Sequence, residues 1–232
     1  MNAVILAAGK GSRLGSLTEA IPKPLIEFDG KTLLQHNIEL CQRHGISRLF
    51  INTHHLAEKI TTSFGDGSAF GVHITYSYEP ELLGTSGALW NFRQDLKNEP
   101  FYVLYGDNYS QYDLGLLQDL FARHDSMGVI AFHHREDVCA SGVAEFDGDQ
   151  RIVRFIEKPK QGETLSHWVN AGIYLLHPRI FDYIPAGFSD FARDVFPPLL
   201  ARNVPLYGIC QKAEVHAFDT PEMYKRSLRR LT

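Results

Sequence analysis

Ala3-Val4-Ile5-Leu6-Ala7-Ala8-Gly9-Lys10-Gly11-Ser12-Arg13-Leu14, followed by Ile21-Pro22-Lys23-Pro24, decides how the chain is read. Val4 to Ala8 is an apolar run of strand length, as in the buried first strand of a parallel sheet. It breaks into a turn whose Gly9 and Gly11 carry no Cβ, so the backbone can take positive φ and approach a ligand closely. The turn offers backbone N–H groups and the cations Lys10, Arg13 and Lys23 to an anion, which is the composition of a phosphate cradle. A plain surface turn needs neither the small Ala7 and Ala8 before it nor Arg13 and Lys23 beyond it. A Walker loop requires Gly-Lys-Ser/Thr, and Lys10 is followed by Gly11, which rules it out. A dinucleotide fingerprint fails by one residue of spacing at Gly15, and the second strand, ending at Asn52-Thr53, lacks the acidic residue that would hold a ribose.

Outward from this turn, Thr32 to His44 has the spacing of a helix, with Leu34, Ile38 and Cys41 on one face and Gly45 as its stop. Ile46 to Asn52 is the next strand, His55 to Phe64 the next helix and Val72 to Tyr76 an alternating strand. This β-α-β-α order predicts an α/β fold whose sheet is covered on both faces. With 232 residues the chain is long enough for one large domain with a continuous core. A net charge of −4 argues against a nucleic-acid partner. No stretch is long and apolar enough for a membrane span, and no charged leader precedes the first strand, so a cytoplasmic protein without membrane insertion is expected. Cys41, Cys139 and Cys210 are odd in number and without metal-type pairing, as buried free thiols would be. The pairs His54-His55 and His133-His134 lack zinc-site spacing and are expected at the surface or at a rim.

Further on, a strand ends at Pro80, a glycine turn follows at Leu83-Gly84, and a helix begins near Thr85. Phe101 to Asn108 is a buried strand with Asp107 at its carboxyl end, where ligands sit in open α/β sheets. Asp113 or a neighbour is expected to start a helix through Leu116, Leu117 and Leu120. Asp147-Gly148 between alternating runs signals a hairpin, and Trp168 to Leu176 is another strand. The apolar stretch Phe188 to Leu200 fits either core or a dimer face.

Gly9-Lys10-Gly11-Ser12-Arg13 with Pro22-Lys23-Pro24 resembles the signature of the sugar-1-phosphate nucleotidyltransferases. The resemblance continues along nearly the whole chain and is nearest to the short guanylyltransferases for mannose-1-phosphate or manno-heptose-1-phosphate. It implies the nucleotide-diphospho-sugar transferase fold, a Rossmann-like three-layer αβα sandwich around a mostly parallel mixed sheet. Residues 1–232 would form a single catalytic domain, about 1–110 its nucleotide half and about 111–232 its sugar-phosphate half, with no C-terminal β-helix. Leu6, Ala7, Ala8, Gly9, Gly11, Ser12 and Arg13 would contact the nucleotide, together with Glu79, Gly84, Thr85 and Asp107. Arg13 and Lys23 would be the catalytic cations and Asp107 a Mg²⁺ ligand. Asn108, Gly142, Glu157, Asn170 and Gly172 would contact the sugar, and Lys158 its phosphate.

Three departures from the family pattern bear on these expectations. Ser16 stands where many members have Pro, which changes the loop locally. Glu79 stands where many have Gln; an ionised carboxylate only accepts hydrogen bonds and could take the paired donors of guanine, or else it points into solvent ahead of Pro80. Ala217 replaces the Asp that serves many members as second metal ligand. Asp219 either substitutes for it, sharing a face with Ala217 if the strand alternates, or belongs to the start of a helix with Thr220 as N-cap and Pro221 as first residue.

The implied reaction is transfer of a nucleoside monophosphate from a nucleoside triphosphate, GTP favoured, to a sugar 1-phosphate. It would use Mg²⁺ and small-molecule substrates, with no covalent intermediate, in a monomer or homodimer. UTP or CTP as donor is the alternative within the family. A catalytically inactive nucleotide-sugar sensor, supported by Ala217 alone, and a nicotinamide-dependent oxidoreductase, resting on the glycine loop alone, are the alternatives outside it.

Overall fold

The computed structural model describes residues 1–229. The chain begins with β1 (Asn2–Leu6), a small hairpin of β2 (Glu27–Phe28) and β3 (Lys31–Thr32), α1 (Leu33–Arg43), β4 (Arg48–Thr53), α2 (Ala57–Phe64) and β5 (His73–Tyr78). Next come α3 (Gly84–Gly87), α4 (Arg93–Leu96), β6 (Phe101–Tyr105), β7 (Asn108–Ser110), α5 (Leu114–Arg123) and β8 (Gly128–His134). The last part holds β9 (Gly142–Phe146), β10 (Ile152–Glu157), β11 (Trp168–Leu176), α6 (Phe196–Ala201), β12 (Leu206–Gln211), β13 (Val215–Ala217) and α7 (Pro221–Leu228). The expected last helix, Pro221 to Leu231, is α7; Arg230 and Leu231 lie outside the described residues. The sheet is mixed and mostly parallel, with helices on both sides.

The chain divides into two compact units, and the division is not the single cut near residue 110 that the sequence suggests. The first comprises Met1–Leu82, Leu104–Gln111 and the chain from Val215 on; the second comprises Leu83–Val103 and Tyr112–Glu214.

In the first unit β1 pairs in parallel with β4, and β4 with β5. All of β1 and all of β4 after Arg48 are buried, as strands covered on both faces must be. Thr32 caps α1 by accepting from the Gln35 N–H at 3.2 Å, and Leu34, Ile38 and Cys41 on its inner face are fully buried. β4 begins two residues later than expected, at Arg48, and α2 begins at Ala57, because Leu56 takes a left-handed conformation that a helix cannot include. β7 pairs antiparallel with β13, which puts Ala217 opposite Asn108. Leu14, Ile26, Phe28, Leu33, Tyr109 and Phe218 close a second apolar cluster beside these strands.

In the second unit β9 pairs antiparallel with β10 and β11, and β8 antiparallel with β11 and parallel with β12. The hairpin between β9 and β10 turns through Asp147, whose Oδ1 accepts from the N–H groups of Asp149 and Arg151, and the left-handed residue is Gln150, not Gly148. Asp113 is the N-cap of α5, accepting from the Gly115 N–H at 2.9 Å. β11 shifts register between Asn170 and Tyr174, a bulge around Gly172. Phe191, Val195, Phe196 and Leu199 are fully buried, so the stretch from Phe188 is mainly core, with Phe188 itself exposed.

Cys41 is buried, which pushes its thiol up to about 12, whereas Cys139 is exposed and departs from the expectation of buried thiols. Among the described residues no helix is long and apolar enough to cross a membrane.

Candidate functional site

In the first unit the carboxyl ends of the parallel strands carry a cluster of charge. Gly106 follows β6 and donates to the Leu6 carbonyl at 2.9 Å, which sets Asp107 beside the end of β1. Lys23 lies in a tight turn between Pro22 and Pro24, rings that fix their own φ, and its side chain is only 5% exposed. The Lys23 Nζ donates to Asp107 Oδ2 at 2.5 Å and to Asp219 Oδ1 at 2.8 Å, and Arg13 Nη2 lies 3.2 Å from the same Asp219 oxygen. Burial alone would push the Lys23 ammonium down; Asp107 and Asp219 together outweigh it and hold it above the ordinary lysine value.

One apolar cluster aims these charges. Leu14 follows Arg13, Tyr109 is two residues from Asp107, and Phe218 precedes Asp219, and all three rest in the group that includes Phe28 and Leu33. β13 ends at Ala217, so strand alternation does not carry Asp219 onto the face of Ala217 as the sequence suggested. Thr220 caps α7 by accepting from the Met223 N–H, and Pro221 opens it. Asp219 stands just ahead of that cap and still reaches Lys23 and Arg13. Two carboxylates converging on one cation are a hard-oxygen donor set, suited to a hard divalent ion. Among the described residues there is no group of three or more His, Cys, Asp and Glu that could hold a metal. His216 instead packs against Phe28 and Tyr109 and bonds the Ser227 hydroxyl through Nδ1 at 2.8 Å.

The glycine loop is held from behind. Gly11 has φ of +64° and its missing Cβ would lie 2.8 Å from Thr18 Cγ2, so only glycine fits there. The Thr18 hydroxyl donates to the Gly11 carbonyl at 2.9 Å. Ala7 donates to Asn52 Oδ1, and Asn52 Nδ2 donates to Glu79 Oε1, each at 2.8 Å. Glu79 is 1% exposed, which overturns its placement in solvent and removes the ground for a direct contact with guanine. It serves here as the anchor of Asn52. His54 and His55 are not idle rim residues: their rings bond the backbone carbonyls of Glu79 and Thr18 at 2.7 and 3.0 Å. Leu6, Ala7 and Ala8 are buried, while Gly9, Lys10, Ser12 and Arg13 are exposed or partly so.

The second unit holds the other predicted residues in three places. Gly142 faces Glu157 across the β9–β10 hairpin. Burial pushes the Glu157 carboxyl up, with Asp190 adding to the effect and Lys158 and Arg193 opposing it. The Lys158 ammonium stands 4.0 Å from Glu157 with its side chain 62% exposed. In the β11 bulge Asn170 Oδ1 accepts from the Gly172 N–H at 2.9 Å and its Nδ2 donates to the Tyr174 hydroxyl at 2.8 Å. Gly84 and Thr85 form a turn against Ser189 and Asp190. The missing Gly84 Cβ would fall 2.3 Å from the Ser189 carbonyl oxygen, and both donors of Thr85, its N–H and its hydroxyl, go to Asp190. Of the expected histidine pair, His133 is buried, against that expectation, and His134 is exposed, on opposite sides of β8.

Sequence reasoning passed over Asn52, Asn37 and Asp190. Asn37 is 4% exposed and donates to the Asn108 carbonyl at 2.9 Å. A polar amide inside an apolar strand or on the inner face of a helix is the signal that could have marked the first two.

The profile of the nucleotidyl transferase family matches residues 2–215. The chain is 36% identical over 223 residues to a UTP–glucose-1-phosphate uridylyltransferase of Synechocystis, covering 90% of this chain and 58% of that protein. It is 33% identical over 228 residues to a mannose-1-phosphate guanylyltransferase of Mycobacterium tuberculosis, covering 97% of this chain and 63% of that one. It thus spans less than two thirds of the length of these curated relatives. The crystal structure of HddC from Yersinia pseudotuberculosis complexed with GMP-PN superposes with a TM-score of 0.81 at 27% identity, covering 100% of this chain and 99% of that one.

Proposed function

The chain belongs to the nucleotidyl transferase family, and from that premise we propose that it transfers a nucleotidyl group from a nucleoside triphosphate to a sugar 1-phosphate with release of pyrophosphate. The observation that carries this reading is the buried Lys23 ammonium held by Asp107 and Asp219 next to a glycine loop. The backbone of Gly9 to Ser12 binds the triphosphate, and Lys23 and Arg13 neutralise the charge that develops on the departing pyrophosphate. Asp107 and Asp219 would hold Mg²⁺, a hard ion that takes oxygen ligands. When bound, the ion would supply shielding of phosphate charge and polarisation of the phosphoryl oxygens. Asp219 thereby fills the role left open by Ala217.

The acceptor phosphate has its second pKa at about 6 and is largely a dianion at neutral pH, so it attacks without a general base. Lys158 supplies its counter-charge, and Glu157 and Asn170 supply the acceptors and donors that sugar hydroxyls need. We read the Gly84–Gly87 turn as a further nucleotide contact, made through the Gly84 backbone, because the N–H groups of Thr85, Ser86 and Gly87 are already engaged by Asp190 and Ser189. We take GTP as the donor, a choice supported by the guanylyltransferase relative and the structural relative that carries GMP-PN. The uridylyltransferase relative favours UTP as the second reading.

Pyrophosphate release from GTP, UTP, CTP, ATP and dTTP against mannose, manno-heptose and glucose 1-phosphates tests both readings. Release with GTP and a manno-configured acceptor is the expected result. Release only with UTP discards the base assignment and keeps the reaction; no release from folded protein with any pair overturns it.

A further inference from the structure

In the second unit the Gly84–Gly87 turn is docked onto the segment from Gly187 to Phe191. Ser189 donates its N–H to the Leu83 carbonyl at 3.0 Å, and its own carbonyl accepts from the Ser86 and Gly87 N–H groups at 3.0 and 3.2 Å. The fully buried Ser86 and Ser189 hydroxyls meet at 2.8 Å. Asp190 is the centre of this contact. Its Oδ1 accepts from the Thr85 N–H at 3.0 Å and from the Thr85 hydroxyl at 3.1 Å, while Thr85 Oγ1 accepts from the Phe191 N–H at 3.0 Å. Its Oδ2 accepts from the Arg193 guanidinium at 2.5 Å, and its N–H donates to Asp194 Oδ2 at 2.7 Å.

The backbone explains why these charges meet. Pro197 and Pro198 lack the N–H groups that would bond the Arg193 and Asp194 carbonyls in an α-helix. The preceding turn, Phe191–Val195, is π-helical, closed by the Phe196 N–H on the Phe191 carbonyl. Widened turns of this kind are frequent at functional sites. Arg193 meets Asp190 at i,i+3 spacing within this turn, and the same Asp190–Arg193 pair acts on Glu157 in β10.

We propose that Asp190 is a positioning residue for nucleotide binding: its two carboxylate oxygens fasten the Gly84–Gly87 turn to the π-helical turn that carries Arg193. The proposal rests on the reading of the Gly84–Gly87 turn as facing the nucleotide. Asp190 acts through Thr85, by holding the turn in place.

The test compares Asp190→Ala, Asp190→Asn, Thr85→Val and the Asp190→Ala/Thr85→Val double variant by amide hydrogen exchange and steady-state kinetics. Asp190→Ala is expected to speed exchange of the Thr85 to Gly87 amides about tenfold or more. It is expected to raise KM for the nucleoside triphosphate about tenfold, with kcat and the acceptor KM changed by less than about twofold. Asp190→Asn keeps Oδ1 and restores most of both, and Thr85→Val adds little in the Asp190→Ala background. Asp190→Asn also removes a negative charge near Glu157, so the acid limb of acceptor binding moves to lower pH, a shift that loss of structure alone does not cause. Unchanged exchange in Asp190→Ala overturns the proposal, as does an equal rise in both KM values. If Asp190→Ala does not fold, Asp190→Asn and Thr85→Val carry the same comparison. A wild-type protein that releases no pyrophosphate ends the functional reading, and the exchange rates then decide the role of Asp190 alone.

Discussion

The two units set lysine beside carboxylate in opposite ways. Lys23 is buried, pinned by two aspartates and flanked by prolines; Lys158 is largely exposed, with Glu157 4.0 Å away. The first charge is fixed before any ligand arrives, as electrostatic stabilisation of a transition state requires. The second is free to move until a ligand engages it, so its charge acts on binding against an ordering cost. On this contrast the two lysines should fail in different kinetic constants.

The largest effect is expected at Lys23. Lys23→Met should lower kcat about a thousandfold in a pyrophosphate-release assay; a loss of only about tenfold would make the two lysines equivalent and break the contrast. The same variant tests the electrostatics of folding. The folded Lys23 value is raised above 10.5, so its stabilising contribution is fully present below pH 10.5 and is lost as pH climbs through the folded value. The difference in thermal midpoint between Lys23→Met and the parent should therefore close on alkaline titration.

Asp219→Asn should cost about a hundredfold in kcat and shift the Mg²⁺ titration midpoint upward. An unchanged midpoint would leave Asp219 as the partner of Lys23 and Arg13 only. Lys158→Ala should raise the acceptor KM about tenfold and leave kcat within about twofold, the pattern that separates it from Lys23.

The smallest effect belongs to Glu157. Its carboxyl is raised in the folded protein by burial first, so ionisation costs more there than in the unfolded chain. Glu157→Gln should raise the thermal midpoint slightly at neutral pH, and the gain should vanish below pH 4.5, where the side chain is protonated in both states. A gain that persists in acid would point to packing and not to charge.

The fold and the first unit's loop were legible because they depend on local pattern. An apolar run ending in glycines, a Thr cap before α1 and an Asp cap before α5 each carry their own signature. Asp107 was singled out because a strand's carboxyl end is where such a residue has a use, and the structure brings it onto Lys23. Asp219 was reached by the wrong route: β13 stops short of it, and the packing of Phe218, not strand alternation, delivers it. Glu79 was misjudged because its partner, Asn52, lies 27 residues away and looks in the sequence like an ordinary strand residue. Asp190 and Thr85 are 105 residues apart, and no local pattern records such a pairing.

The last strand and helix have a bearing on how the chain comes to be folded. Phe218 and Asp219 belong to the unit that begins at Met1, so this unit is interrupted by the whole of the other before it closes. On the ribosome, β1, β4 and β5 emerge first, yet the aromatic cluster under Arg13 and the carboxylate facing Lys23 wait for residues after Val215. The intervening unit is contiguous apart from Leu83–Val103 and can form while this one is still open. A nascent or truncated chain lacking β13 would therefore leave β7 without the strand it pairs with and Phe28 without the cover of Phe218, the kind of surface on which partly made proteins aggregate.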